Sequence, residues 1–150
     1  MLVAVNEAEQ IINLLEFSKS DLTELVGQFL RCPACKSQIQ IKNGHVKMAH
    51  FAHVNLAACQ YYSENESLQH LTLKKRLYHW FKQTEQVKIE HFLPELQQTP
   101  DLLVNETIAI EIQCSHLSIQ RLRERTETYR AHGYTVLWLM GKDLWLGQHL

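Results

Sequence analysis

The sequence predicts an α/β protein with helices packed on a mixed sheet, and three observations predict it. Two segments, 63–83 and 118–132, carry apolar residues at helical spacing. Several short segments around them alternate apolar and polar side chains with the period of a strand. From residue 63 onward the order is helix, strand, hairpin, helix, strand, the order of an α/β layer.

In chain order, residues 1–31 are mixed: an apolar start "LVAV", a strand-like "QIINLL", then Asp21 to Phe29 as a short helix or turn. Residues 32–60 hold a cluster of cysteines and histidines. Inside it, "SQIQIKNGHVKMAHF" places two alternating segments around Asn43-Gly44, a strong two-residue hairpin signal. The helix over 63–83 puts Glu66, His70, Leu73, Leu77 and Trp80 on one stripe, its apolar part toward the core, with Lys74 at the edge. A strand "QVKIEHF" and a turn region around Pro94 and Pro100 follow. Next comes a hairpin, "DLLV" and "TIAIEIQ" around Asn105-Glu106. A two-residue turn there pairs Val104 with Thr107 and Asp101 with Ile110. The helix over 118–132 carries Ile119, Leu122, Thr126 and Tyr129 on one stripe and ends at Gly133 as its C-cap. The strand "YTVLWLM" closes the core.

At 150 residues the chain fits one compact domain with a small appended module. Net charge is −1 and the isoelectric point about 6.7, so no global basic surface announces nucleic acid, and any such binding uses a local patch. Lys74, Lys75 and Arg76 cluster on the first helix; Arg121, Arg123, Arg125 and Arg130 lie on the second, away from its stripe. They read either as a solvated outer face or as phosphate contacts. No apolar run reaches the roughly 20 residues of a membrane span, and "MLVAVNEAEQ" does not read as a signal peptide. Four cysteines, two of them in a Cys-x-x-Cys pair with histidines downstream, point to metal chemistry in a reducing compartment, by default the cytoplasm.

That cluster is Cys32-Pro33-Ala34-Cys35, fourteen residues, then His50-Phe51-Ala52-His53. A Cys-x-x-Cys turn offers two thiolates to one ion, and a second pair completes a tetrahedron, so Cys32, Cys35, His50 and His53 are candidate zinc ligands. Cys59 is a fifth candidate able to replace one histidine. Four protein ligands leave no open position, which makes the site structural. The alternative is an ordinary hairpin with free thiols and surface histidines.

The segment "IAIEIQ" poses the other question. Ile108, Ile110 and Ile112 share one strand face, which reads as core; Ala109, Glu111 and Gln113 share the other. A carboxylate there needs an ion-pair partner or a bound cation. Asp101 lies diagonally beside Glu111 in the expected hairpin, and two such carboxylates repel unless a cation lies between them. Asp101, Glu111 and a backbone carbonyl suit Mg²⁺ or Mn²⁺, which prefer oxygen ligands. Glu66 and His70 are either an i,i+4 pair on a solvated first turn or part of a polar pocket at the end of the core; Glu66 would then orient a metal-bound water or ligate directly.

Together, "CPAC" with "HFAH", "ESLQH" followed by Lys74, Pro100-Asp101 and "EIQCS" resemble the PD-(D/E)xK nuclease superfamily, and more closely the CoiA-like competence proteins of bacteria, over residues 32–141. The resemblance implies a restriction-endonuclease-like mixed sheet flanked by helices (residues 61–150) behind an N-terminal segment (residues 1–60) that holds a small zinc-finger-like module with its ligands over residues 32–53. It implies a metal-dependent deoxyribonuclease acting on incoming DNA in natural transformation and recombination, with structural Zn²⁺ and catalytic Mg²⁺ or Mn²⁺. DNA is the expected partner, together with recombination proteins, and no membrane. Asp101 and Glu111 are implied as metal ligands, Glu66 as a helical acid, and Gln113 at the position of the superfamily's lysine. Glutamine orients a water but supplies no charge. Lys74 or Lys88 is expected to supply it, with Lys88 read as a surface charge, and His70 to act as general acid or base. Lys75, Arg76, Arg121, Arg125 and Ser115 are candidate phosphate contacts, with Ser115 read alternatively as a cap of the segment that follows it. A non-catalytic DNA-binding accessory module is the alternative function. A zinc-ribbon interaction protein would leave the hairpin carboxylates unexplained.

Overall fold

The computed structural model describes residues 1–44, 48–55, 57, 59 and 66–144. The chain is mixed α/β, with two sheets flanked by helices, and it forms two compact units, Met1–Leu68 and Gln69–Leu150.

The first unit is built on an antiparallel sheet of order β2-β1-β3-β4-β5, with β1 Val3–Val5, β2 Ile11–Asn13, β3 Leu30–Arg31, β4 Gln38–Lys42 and β5 His50–His53. β1 is buried along its whole length, and Leu2, Leu30, Ile39 and Phe51 are buried with it. "QIINLL" is strand only to Asn13, whose side chain accepts the Leu15 N–H (3.0 Å) and starts a 3-10 turn over Leu14–Glu16. The stretch from Asp21 holds one helical turn, α1 Leu22–Leu25. β4 and β5 form the expected hairpin, but Lys42 pairs with His50, so residues 43–49 connect them in place of a two-residue Asn43-Gly44 turn. Sequence alternation does not separate the two registers, because either sets an apolar residue opposite Ile41: Val46 in the tight turn, Phe51 in the observed pairing. The observed register buries the larger side chain.

The second unit holds α2 Leu68–Lys82, β6 Val87–Ile89, β7 Leu102–Val104, β8 Ile108–Gln113, α3 Ile119–Ala131 and β9 Thr135–Met140, with sheet order β6-β7-β8-β9. β6, β7 and β8 pair antiparallel; β8 and β9 are parallel, and α3 makes the crossover that parallel strands require. α2 begins at Leu68, later than expected, and the predicted start at residues 63–65 lies outside the described residues. Its buried residues are Leu71, Lys74 and Tyr78, not the expected stripe, and Trp80 is 63% exposed. Lys74 therefore sits inside rather than on the edge.

Two further expectations are corrected. The β7–β8 turn has three residues, Asn105, Glu106 and Thr107, because Val104 pairs with Ile108; Asn105 (φ 50°) and Glu106 (φ 60°) are both left-handed. The last pair is Leu102↔Ile110, one residue out of the expected register, so Asp101 falls level with Glu111 rather than with Ile110. Both faces of β8 are buried. Ala109 packs with Leu93, Leu96, Leu103 and Tyr129, and Ala109, Ile110, Glu111 and Ile112 are all buried. α3 is capped by Ser118, whose hydroxyl accepts the Arg121 N–H (3.1 Å). It ends with His132 at the cap and Gly133 one residue beyond at φ 84°. Tyr134 N–H bonds the Tyr129 carbonyl and Gly133 N–H that of Arg130, a Schellman pair.

Candidate functional site

In the first unit, Cys32–Ser37 is the tight turn between β3 and β4. It is closed by Cys32 N–H to the Ser37 carbonyl (2.9 Å) and Lys36 N–H to the Cys32 carbonyl (3.0 Å), with Lys36 at φ 64°. This turn aims two thiols the same way. Cys32, Cys35, His53 and Cys59 bring one ligand atom each to within 4.8 Å of one another; Cys35 Sγ lies 3.4 Å from His53 Nε2 and Cys32 Sγ 4.0 Å from Cys59 Sγ. Cys59 thus takes the place expected of His50, whose Nδ1 lies 2.9 Å from the Met48 carbonyl. The reason is strand alternation: His50 and His53, three apart on β5, point to opposite faces. Burial pushes the Cys32 thiol up. Burial also acts to raise the Cys35 thiol, but hydrogen bonds from Ser37 and His53 bring it down to about 7. Three soft thiols and an imidazole converging on one point fit Zn²⁺.

In the second unit, Asp101 precedes β7 and faces the start of α2. His70 Nε2 lies 3.1 Å and Lys74 Nζ 3.0 Å from Asp101 Oδ1, while Oδ2 accepts the Ile112 N–H at 2.7 Å. Burial alone would raise this carboxyl, but the Lys74 charge and the His70 and Ile112 bonds hold it well below the usual carboxylate range. Lys74 Nζ also lies 3.8 Å from Glu90 Oε1, and both side chains are buried. Glu90 ends β6: its φ of 48° breaks the strand, and its N–H bonds the Asp101 carbonyl (3.0 Å).

Glu111, mid-β8, meets α3. Arg125 pairs with its Oε1, and the Tyr129 hydroxyl donates to the same oxygen at 2.6 Å. Burial pushes Glu111 up to about 7; Arg125 opposes this and the nearby Asp101 charge adds to it. The same burial and the Glu111 charge push the Tyr129 hydroxyl up. Both donors fall on Oε1.

The other candidates make contacts of their own. Gln113 is half-buried and its amide donates to the Ser115 carbonyl (2.6 Å). Lys75, Arg76, Arg121 and Ser115 are exposed. Arg125, expected on phosphate, is instead engaged by Glu111, because Arg125 and Tyr129 lie one helical turn apart on the face that packs on β8. Lys88 is a surface charge paired with Glu106 (2.5 Å). Glu66 lies just before α2, and its carboxylate pairs with the Met1 ammonium at 3.2 Å. Sequence reasoning missed Glu90 and the Arg125–Tyr129 clamp. The i,i+4 spacing of Arg125 and Tyr129 was an available signal; nothing in the strand pattern marks Glu90.

Fold and side chains define a two-part α/β protein, a thiolate–imidazole ligand set on a small antiparallel sheet and a buried carboxylate set on a mixed four-stranded one. The family described as "Competence protein CoiA, nuclease-like domain" matches residues 66–148, and "Competence protein CoiA, N-terminal domain" matches residues 14–62. The chain belongs to the CoiA competence protein family. It is 32% identical over 114 residues to a competence protein CoiA of Bacillus subtilis (strain 168), which covers 73% of this chain and 31% of that relative. No solved structure matches the chain. No helix among the described residues is long and apolar enough to cross a membrane.

Proposed function

We propose that the second unit is a metal-dependent deoxyribonuclease of restriction-endonuclease-like architecture that acts on incoming DNA in transformation and recombination. The observation that carries this reading is that two largely buried carboxylates, Asp101 just before β7 and Glu111 on β8, are set level with each other by the β7–β8 register. Their all-oxygen donor set fits Mg²⁺ or Mn²⁺ rather than a soft metal. Such an ion, when bound, activates water and offsets charge on a phosphoryl oxygen. Asp101 and Glu111 would hold it. Lys74 supplies the positive charge that Gln113 lacks, and His70 moves a proton at Nε2. Gln113 and Ser115 orient water or phosphate, and exposed Lys75, Arg76 and Arg121 meet the backbone. Cys32, Cys35, His53 and Cys59 hold a structural Zn²⁺, whose reduced thiols suit the cytoplasm. Recombination proteins acting on the same DNA are the further partners.

A second reading, a non-catalytic DNA-binding accessory module, is favoured by the Arg125–Tyr129 clamp on Glu111 and the neutral Gln113. The test is incubation of the full chain with labelled single- and double-stranded DNA in Mg²⁺, Mn²⁺ or EDTA. Metal-dependent cutting is the expected result; retained DNA binding without cutting in any metal would support the accessory module.

A further inference from the structure

We infer that Glu90 is a positioning residue of this site: it takes over the Lys74 ammonium when a divalent cation binds Asp101. The inference rests on the metal reading above. In the structure Lys74 occupies the very carboxylate that the cation needs, with Nζ 3.0 Å from Asp101 Oδ1. Lys74 is 2% exposed, so its ammonium does not leave for water when a second cation arrives, since burying an uncompensated charge is strongly unfavourable. It needs a second anionic seat inside the protein. Glu90 Oε1 lies 3.8 Å from Nζ and is itself 3% exposed, so a shift on the order of 1 Å turns a long contact into a direct ion pair.

The backbone holds Glu90 in place for this. Its left-handed φ of 48° is a conformation that residues other than glycine rarely adopt. The bond from its N–H to the Asp101 carbonyl (3.0 Å) fixes the two acids on either side of one lysine. Glu90 also offsets the repulsion between the shifted ammonium and the metal.

The experiment measures Mn²⁺ affinity of the zinc-loaded full chain, by calorimetry and by electron paramagnetic resonance of free Mn²⁺. The proteins are wild type, Glu90→Gln, Lys74→Met, the double variant and Asp101→Asn, each checked for folding by thermal melt. Glu90→Gln is expected to weaken binding at least tenfold, because Lys74 can no longer vacate Asp101. Lys74→Met tightens it, and in that background Glu90→Gln costs less than threefold. Glu90→Asp, which keeps the charge, stays within threefold of wild type and serves if Glu90→Gln does not fold. An equal loss from Glu90→Gln in both backgrounds would make Glu90 a simple ligand or field charge and overturn the inference. So would Asp101-dependent binding that ignores Glu90. Absence of Asp101-dependent Mn²⁺ binding in both wild type and Lys74→Met overturns the metal reading itself, and the inference with it.

Discussion

Glu111 has two donors on one oxygen and an acidic neighbour, and its titration follows from that. Burial first, then the Asp101 charge, lifts it from 4.5 to about 7 against the pull of Arg125. A carboxyl whose folded pKa is raised favours the folded state while protonated. Its contribution is therefore complete below pH 4.5 and is lost as pH rises through about 7. With chelator present, thermal melts of wild type should fall across that window, and Glu111→Gln should flatten the slope. Asp101 has the opposite sign: held low by Lys74, His70 and the Ile112 N–H against burial, it contributes above pH 3.8 and loses that contribution as pH falls further. Lys74→Met leaves Asp101 and Glu90 without their shared cation and should cost about 3 kcal/mol in urea unfolding without metal. The carboxylates of Asp101 and Glu111 were legible in the sequence as costly charges in an apolar setting. The partners were not, because Lys74 and Glu90 meet only after helix and hairpin pack. Helical periodicity alone reads a lysine as solvated.

At the scale of elements, the order of helices and strands from α2 to β9 was legible from periodicity, while the registers were not. A third residue in the β7–β8 turn, Thr107, moves Asp101 level with Glu111; left-handed Asn105 and Glu106 make that turn, a choice that "NE" does not announce as "NG" would. His50 and His53 were read as a ligand pair by spacing, but the strand that carries them turns His50 away from the cysteines. The end of α3 is legible and testable. Gly133 sits at φ 84° with nothing within 4 Å of an added Cβ, so Gly133→Ala meets no clash and should lose about 1 kcal/mol from backbone strain alone, read by denaturant midpoint.

At the scale of the whole molecule, the two ligand sets differ in softness, and so they should separate by metal. Purified chain should carry one zinc bound by Cys32, Cys35, His53 and Cys59. Cys59→Ser should lose that zinc and the cooperative melt of the first unit, whereas His50→Ala should keep both; elemental analysis and calorimetry decide it. Membership of the CoiA family places a nuclease-like domain over residues 66–148 of this chain, which spans 31% of the B. subtilis relative. The measurement that bears most directly on the proposed chemistry is DNA cleavage in Mn²⁺ by wild type and by Glu111→Gln, a variant that keeps the size of the side chain and removes its charge. Cutting by wild type that falls at least a hundredfold in Glu111→Gln, with DNA binding retained, is the predicted result. Cutting that persists undiminished in the variant would contradict the assignment of Glu111 to the reacting site.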